Sequence, residues 1–110
     1  MFHTKRIGTQ AEWEVRKILE QQGYFVGRSA GSKGIWDLWA VNENGLRLIQ
    51  VKSTSQKEKA KILFKKDIER MKNTKVFGQQ ELWVRRKGKK VKEPIERYEI
   101  IKIQPEITQL

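Results

Sequence analysis

The chain has 110 residues, enough for one compact domain and too few for a second folded unit. Its 24 Lys and Arg outnumber 13 Asp and Glu, for a net charge of +11 and a pI near 10.1; apolar residues make up 37% and charged residues 34%. The core must be small and the surface ionic, and the charge balance is that of a protein that binds polyanions. With no Cys and a lone His3, disulfides, thiolate metal sites and histidine clusters are excluded. No apolar run approaches the ~20 residues that cross a bilayer, so a cytoplasmic protein with no membrane partner is expected.

In chain order, Thr9-Gln10-Ala11-Glu12 has the form of a capping box, and Ala11, Val15, Ile18 and Leu19 follow at helical spacing, predicting a helix from Gln10 to Gln22. Gly23 is the expected left-handed stop, and Tyr24-Phe25-Val26 favours a strand. Arg28 to Gly34 reads as a small, polar loop, and Ile35 to Val41 as a strand interrupted by Asp37. Asn42-Glu43-Asn44-Gly45 predicts a hairpin turn into a returning strand from Leu46 to Lys52.

Ser53 to Lys61 reads as a mobile polar loop, Ile62-Leu63-Phe64 as a short apolar patch, and Lys66 to Lys75 as a helix burying Ile68 and Met71. Gln80 to Arg86 predicts a strand with Leu82 and Val84 on one face and Trp83 on the other; Arg86 to Lys90 is a basic turn, and Arg97 to Ile103 a last strand. The whole is a single domain, 1–110, with flexible ends at 1–7 and 104–110. The order of elements points to an α/β fold around a mixed sheet. Charge is polarised along it: Lys57 to Lys92 holds 14 basic against 4 acidic residues, the first 55 residues 8 against 5. The second half should therefore supply most phosphate contacts; a solvated basic face is the duller alternative.

One carboxylate, Asp37, stands in an apolar run where it is costly to bury alone. On the returning strand Gln50 and Lys52 point to one face, so a hairpin can bring a carboxylate, an amide oxygen and an ammonium together. Such a cluster either holds a hard cation such as Mg²⁺ or is a plain Asp37–Lys52 ion pair. Glu12 reads as the capping partner of Thr9, a role compatible with others, and Glu14 as a surface charge. The four Trp, at 13, 36, 39 and 83, read as core or interface residues.

Gly8-Thr9-Gln10-Ala11-Glu12, Arg28-Ser29-Ala30-Gly31-Ser32-Lys33, Asp37-Leu38 and Ile49-Gln50-Val51-Lys52 together resemble the archaeal-type Holliday junction resolvases of the PD-(D/E)-x-K nuclease superfamily. The resemblance runs from Gly8 to Lys52, with a looser fit to Arg86. It implies a restriction-endonuclease-like α/β fold, a central mixed β-sheet flanked by helices. It further implies a homodimer that cuts two opposed strands of a four-way DNA junction with Mg²⁺, in whose place Mn²⁺ serves, and no small-molecule cofactor.

By that resemblance Asp37, Gln50 and the Val51 backbone carbonyl ligate the metal, Glu12 reaches it through water, and Lys52 serves the attacking water. Ser32 belongs with the catalytic group. Arg28, Ser29, Ser32, Lys33, Lys57, Lys59, Lys61, Lys65, Lys66, Lys87, Lys89 and Lys90 are the DNA-binding candidates, and Ile62 to Phe64 a candidate dimer contact. Three positions depart from the pattern. Gln50 replaces an acid, removing a negative charge; Trp36 replaces a proline before Asp37; Trp13 follows Glu12 where a basic residue is usual. The alternatives are a related nuclease acting on duplex DNA and a DNA-binding module impaired at Gln50.

Overall fold

The first element is a helix, α1 (Thr4–Gln21), in a computed structural model that describes residues 4–29 and 34–104. Ala11, Val15, Ile18 and Leu19 form its buried stripe, with Val15 and Leu19 fully enclosed. The helix begins upstream of the expected start, which places Thr9 inside it. An N-cap has non-helical backbone and precedes the first turn, so Thr9 is no cap and Glu12 is released from the capping role. Nothing upstream breaks the helix, since Gly8 alone costs only about 1 kcal/mol. Gly23 ends it as expected, at φ 94°, while the Tyr24 N–H donates back to the Leu19 carbonyl at 3.1 Å.

Five strands form one sheet in the order β1 (Phe25–Arg28), β2 (Leu38–Asn42), β3 (Gly45–Thr54), β4 (Gln79–Arg86) and β5 (Tyr98–Ile103). β3 and β4 are parallel and the other neighbours antiparallel, which makes the sheet mixed. The β2–β3 hairpin closes at Asn42↔Gly45, so its two loop residues are Glu43 and Asn44, with the Asn42 side-chain oxygen accepting the Asn44 N–H at 2.8 Å. The parallel step from β3 to β4 needs a crossover, supplied by α2 (Ala60–Leu63) and α3 (Lys65–Lys72). A 3-10 turn at Pro94–Arg97 leads into β5.

The polar stretch read as a loop from Ser53 to Lys61 is shorter: β3 runs to Thr54, whose carbonyl accepts the Lys87 N–H at 2.9 Å, and α2 starts at Ala60. Pairing to the parallel neighbour extends this polar strand beyond what its composition suggests. Asp37 and the residues before it lie outside β2, which begins at Leu38.

Period-two alternation splits the core into two layers. Val26, Leu38, Ala40, Ile49 and Trp83 pack on α1, whereas Leu82, Val84 and Ile103 pack on the other face with Ala60 and Met71. Leu82 and Val84 therefore oppose Trp83 as expected, and β4 is buried on both sides, as a parallel-paired central strand should be. Within the α1 layer Glu81, 1% exposed, is gripped by Arg47 through two hydrogen bonds of 2.8 Å and by the Trp83 indole N–H at 2.9 Å.

Candidate active site

Asp37 sits one residue before β2, held at both of its backbone groups: its N–H donates to the Ile49 carbonyl and its carbonyl accepts the Ser29 N–H, each at 2.9 Å. The β2–β3 register, carried one residue beyond Leu38↔Ile49, sets Asp37 opposite Gln50. One carboxylate oxygen accepts the Val51 N–H at 2.8 Å. Burial pushes the Asp37 carboxyl above its ordinary value, against the Val51 hydrogen bond and the Lys52 and Arg28 charges, which pull it down.

Glu12 reaches the same place from α1. Its carboxyl is also raised, first by burial and then by the Asp37 charge, while Arg28 opposes the shift. Arg28, at the end of β1, approaches it at 3.4 Å and remains 61% exposed, so its guanidinium is available to a phosphate. Two carboxylates that repel each other at the surface of a basic protein form a site that a cation relieves.

The amide oxygen of Gln50 adds a second observation. It is buried and has no hydrogen-bond partner, the one such side-chain atom among the described residues. A buried acceptor left unpaired costs about 1 to 3 kcal/mol, and an oxygen-seeking cation supplies its missing partner. With the Asp37 and Glu12 carboxylates the donor set is all oxygen, which suits Mg²⁺ or Mn²⁺. No group of three or more Asp, Glu, His or Cys gathers among the described residues. That follows from Gln at position 50: the site has two acids and an amide.

Lys52 does not pair with Asp37. Its ammonium lies nearest Asp67 of α3, at 3.9 Å, with both side chains about one-third exposed. The plain Asp37–Lys52 ion pair is therefore not formed among the described residues, and the weak contact to Asp67 leaves the ammonium free to turn.

Two grooves adjoin the cluster. One, of about 370 Å³, is lined by Gln10, Val51, Lys52, Ser53, Arg85 and Lys87; the other, of about 250 Å³, by Glu12, Trp13, Arg16, Arg28 and Leu38. The structure thus brings Glu12, Arg28, Asp37, Gln50, Val51, Lys52 and Lys87 into one region, with Ser29 tied to Asp37. Lys57, Lys59, Lys66, Lys89 and Lys90 are exposed beyond these grooves. Lys61 and Lys65 rim a different groove over Ile68, Ile101 and Ile103. Ser32 and Lys33 lie outside the described residues.

Sequence reasoning missed Arg16, Arg85 and Asp67, because side chains that converge from α1, β4 and α3 share no local pattern. It also misread Glu14, which is no isolated surface charge: it accepts from the Tyr98 hydroxyl at 2.8 Å and from Arg85 and Arg97 at 3.3 Å. This knot pins α1 to β4 and β5, and burial with the Glu14 hydrogen bond pushes the Tyr98 hydroxyl up. The Trp residues divide. Trp83 is core and Trp36 half-buried, while Trp13 and Trp39 are 57% and 38% exposed.

A mixed five-stranded sheet flanked by helices, with Asp37 set opposite Gln50 and Lys52 two residues further along β3, defines a restriction-endonuclease-like α/β protein. Residues 3–107 match the archaeal Holliday junction resolvase (Hjc) family, and the chain belongs to that family. It is similar to the crossover junction endodeoxyribonuclease Hjc of Methanocaldococcus jannaschii, with 40% identity over 79 residues that cover 71% of this chain and 57% of the relative. The chain thus spans little more than half the length of that relative. Among the described residues no helix is long and apolar enough to cross a membrane.

Proposed function

We propose that the chain is a structure-selective endonuclease that resolves four-way DNA junctions by metal-dependent hydrolysis of phosphodiester bonds. The observation that carries the reading is the unpaired, buried oxygen of Gln50, which the strand register sets opposite Asp37, a carboxylate raised by burial whose charge in turn raises Glu12, so that an added cation is favoured. Asp37, Gln50 and the Val51 carbonyl would hold a divalent ion, with Glu12 acting through water. Such an ion lowers the pKa of a bound water and stabilises charge on the phosphoryl oxygens. Lys52 orients the attacking water and offsets phosphate charge, a role open to it because its tie to Asp67 is loose. Arg28, Arg85 and Lys87 bind the flanking phosphates in the adjoining grooves.

Two cuts on a two-fold substrate call for two equivalent sites, hence a homodimer. The face of β1–β3 turned away from α1 is left uncovered by α2 and α3. By strand register it presents Phe25, Trp39, Val41, Leu46 and Leu48. The segment before β4 joins it, since Gly78 abuts Leu46, and it carries Phe77 at 90% exposure. These side chains are uncharged on a protein of +11, so the face suits a second copy rather than DNA. The patch at Ile62 to Phe64 fits that role less well, because Phe64 packs into the core beneath α2.

The test offers the protein with Mg²⁺ a mobile four-way junction and a linear duplex of matched sequence. Paired nicks on the junction that vanish in Asp37→Ala support the reading. Equal cutting of the duplex moves the assignment to a duplex nuclease, and binding without cutting reduces the chain to a DNA-binding module.

A further inference from the structure

Trp36 and Gln80 have no part in the reading above, yet the Trp36 indole N–H donates to the Gln80 side-chain oxygen at 3.0 Å. Gln80 is 3% exposed. Its amide nitrogen donates in turn to the carbonyls of Met71, at 2.8 Å, and Thr74, at 3.3 Å, where α3 ends. Every polar atom of this buried side chain is thus engaged, and the indole is the partner its oxygen needs. On β4 Gln80 pairs with Leu48, two residues from Gln50 on the same face of β3. The Trp36 ring packs against the core layer of Met71 and Leu82.

Position gives this contact its meaning. Trp36 immediately precedes Asp37, in a stretch that belongs to no strand. The backbone hydrogen bonds to Ser29 and Ile49 fix Asp37 itself, and the Trp36 clasp fixes the peptide that enters it. We propose that Trp36 is a positioning residue for the divalent-ion site. Clasped by Gln80 to the end of α3, it holds the approach to Asp37 so that the carboxylate and the Gln50 oxygen face one ion. The inference rests on the metal reading given above and assigns a purpose to a Trp that replaces the motif's proline. Groups that orient a ligand without touching the ion commonly set its affinity within a factor of about 10 to 100.

The test is Mn²⁺ binding followed by electron paramagnetic resonance in wild type, Trp36→Phe, Gln80→Met and the double variant. Phe keeps a packing ring and Met the side-chain length, and each removes one end of the clasp. Each single variant should weaken Mn²⁺ binding about 10-fold or more. The double variant should be no worse than the weaker single, because both changes break the same bond. Unchanged Mn²⁺ affinity in the two single variants overturns the proposal. Failure of the wild type to bind Mn²⁺ overturns the metal reading itself, a distinguishable result. A second measurement needs no variant: the Trp36 indole N–H, bonded to the buried Gln80 oxygen, should exchange slowly with solvent in the metal-free protein, and exchange at the rate of a free indole refutes the clasp.

Discussion

Replacing Gln50 by Glu restores the charge that the site lacks, and its effect should have opposite signs with and without metal. Gln50 is 9% exposed, and its oxygen is buried without a partner. A carboxylate there stands opposite Asp37, which burial already raises and whose charge also raises Glu12. Without metal the new repulsion should lower the thermal midpoint. With metal, a unit charge pair near 4 Å is worth at most about 4 kcal/mol at an effective dielectric of 20. Part of that is lost to desolvation and repulsion, leaving about 1.4 to 3 kcal/mol, or about 10- to 150-fold tighter binding. Calorimetric titration with Mn²⁺ and thermal melts in EDTA and in Mg²⁺ measure both halves. Gln50→Leu is the counter-variant: it removes the unpaired oxygen, raises the midpoint in EDTA and abolishes the gain in Mg²⁺. If Gln50→Glu and Gln50→Leu bind metal as the wild type does, Gln50 is no ligand and the site has been misplaced.

Changes of pH, of the Arg47–Glu81 pair and of the uncovered face each have an expected outcome. Burial raises the Asp37 and Glu12 carboxyls, so in the absence of metal the fold binds protons more tightly than the unfolded chain; their contribution to stability is fully present at acid pH and is lost as pH rises through the raised values. Asp37→Asn should therefore melt higher than wild type at neutral pH without metal, and wild-type Mn²⁺ affinity should fall on acidification at a pH above the ordinary Asp range. Arg47→Met leaves Glu81 buried without its ion partner and should cost about 3 to 5 kcal/mol in urea denaturation, with Glu81→Gln costing less. Phe77→Glu on the uncovered sheet face should yield a monomer by sedimentation that still binds Mn²⁺; a dimer that persists places the interface elsewhere.

How much of the site was legible depended on the range of the contacts. Asp37, Gln50 and Lys52 could be placed together from the sequence because a tight hairpin fixes register over a dozen residues, and register fixes which side chains share a face. The Asp37–Lys52 pair could not be judged the same way, since the lysine's position depends on Asp67, which arrives from α3. The capping-box reading of Thr9 failed for a related reason: a four-residue pattern states that a cap is chemically possible, and the length of the helix around it decides whether one exists.

The amino-acid order by itself determined the α1 stripe, the Gly23 stop, the hairpin, the double-sided burial of β4 and the polarised positive charge. Each is a local or periodic property, set by backbone sterics and by the alternation of apolar side chains. Only tertiary structure decided that Arg85 of β4 and Lys87 just beyond it border Lys52, that Trp36 is clasped through Gln80 to α3, and that one sheet face stays uncovered among the described residues. Those contacts join residues tens of positions apart, through a parallel crossover whose packing no local spacing encodes.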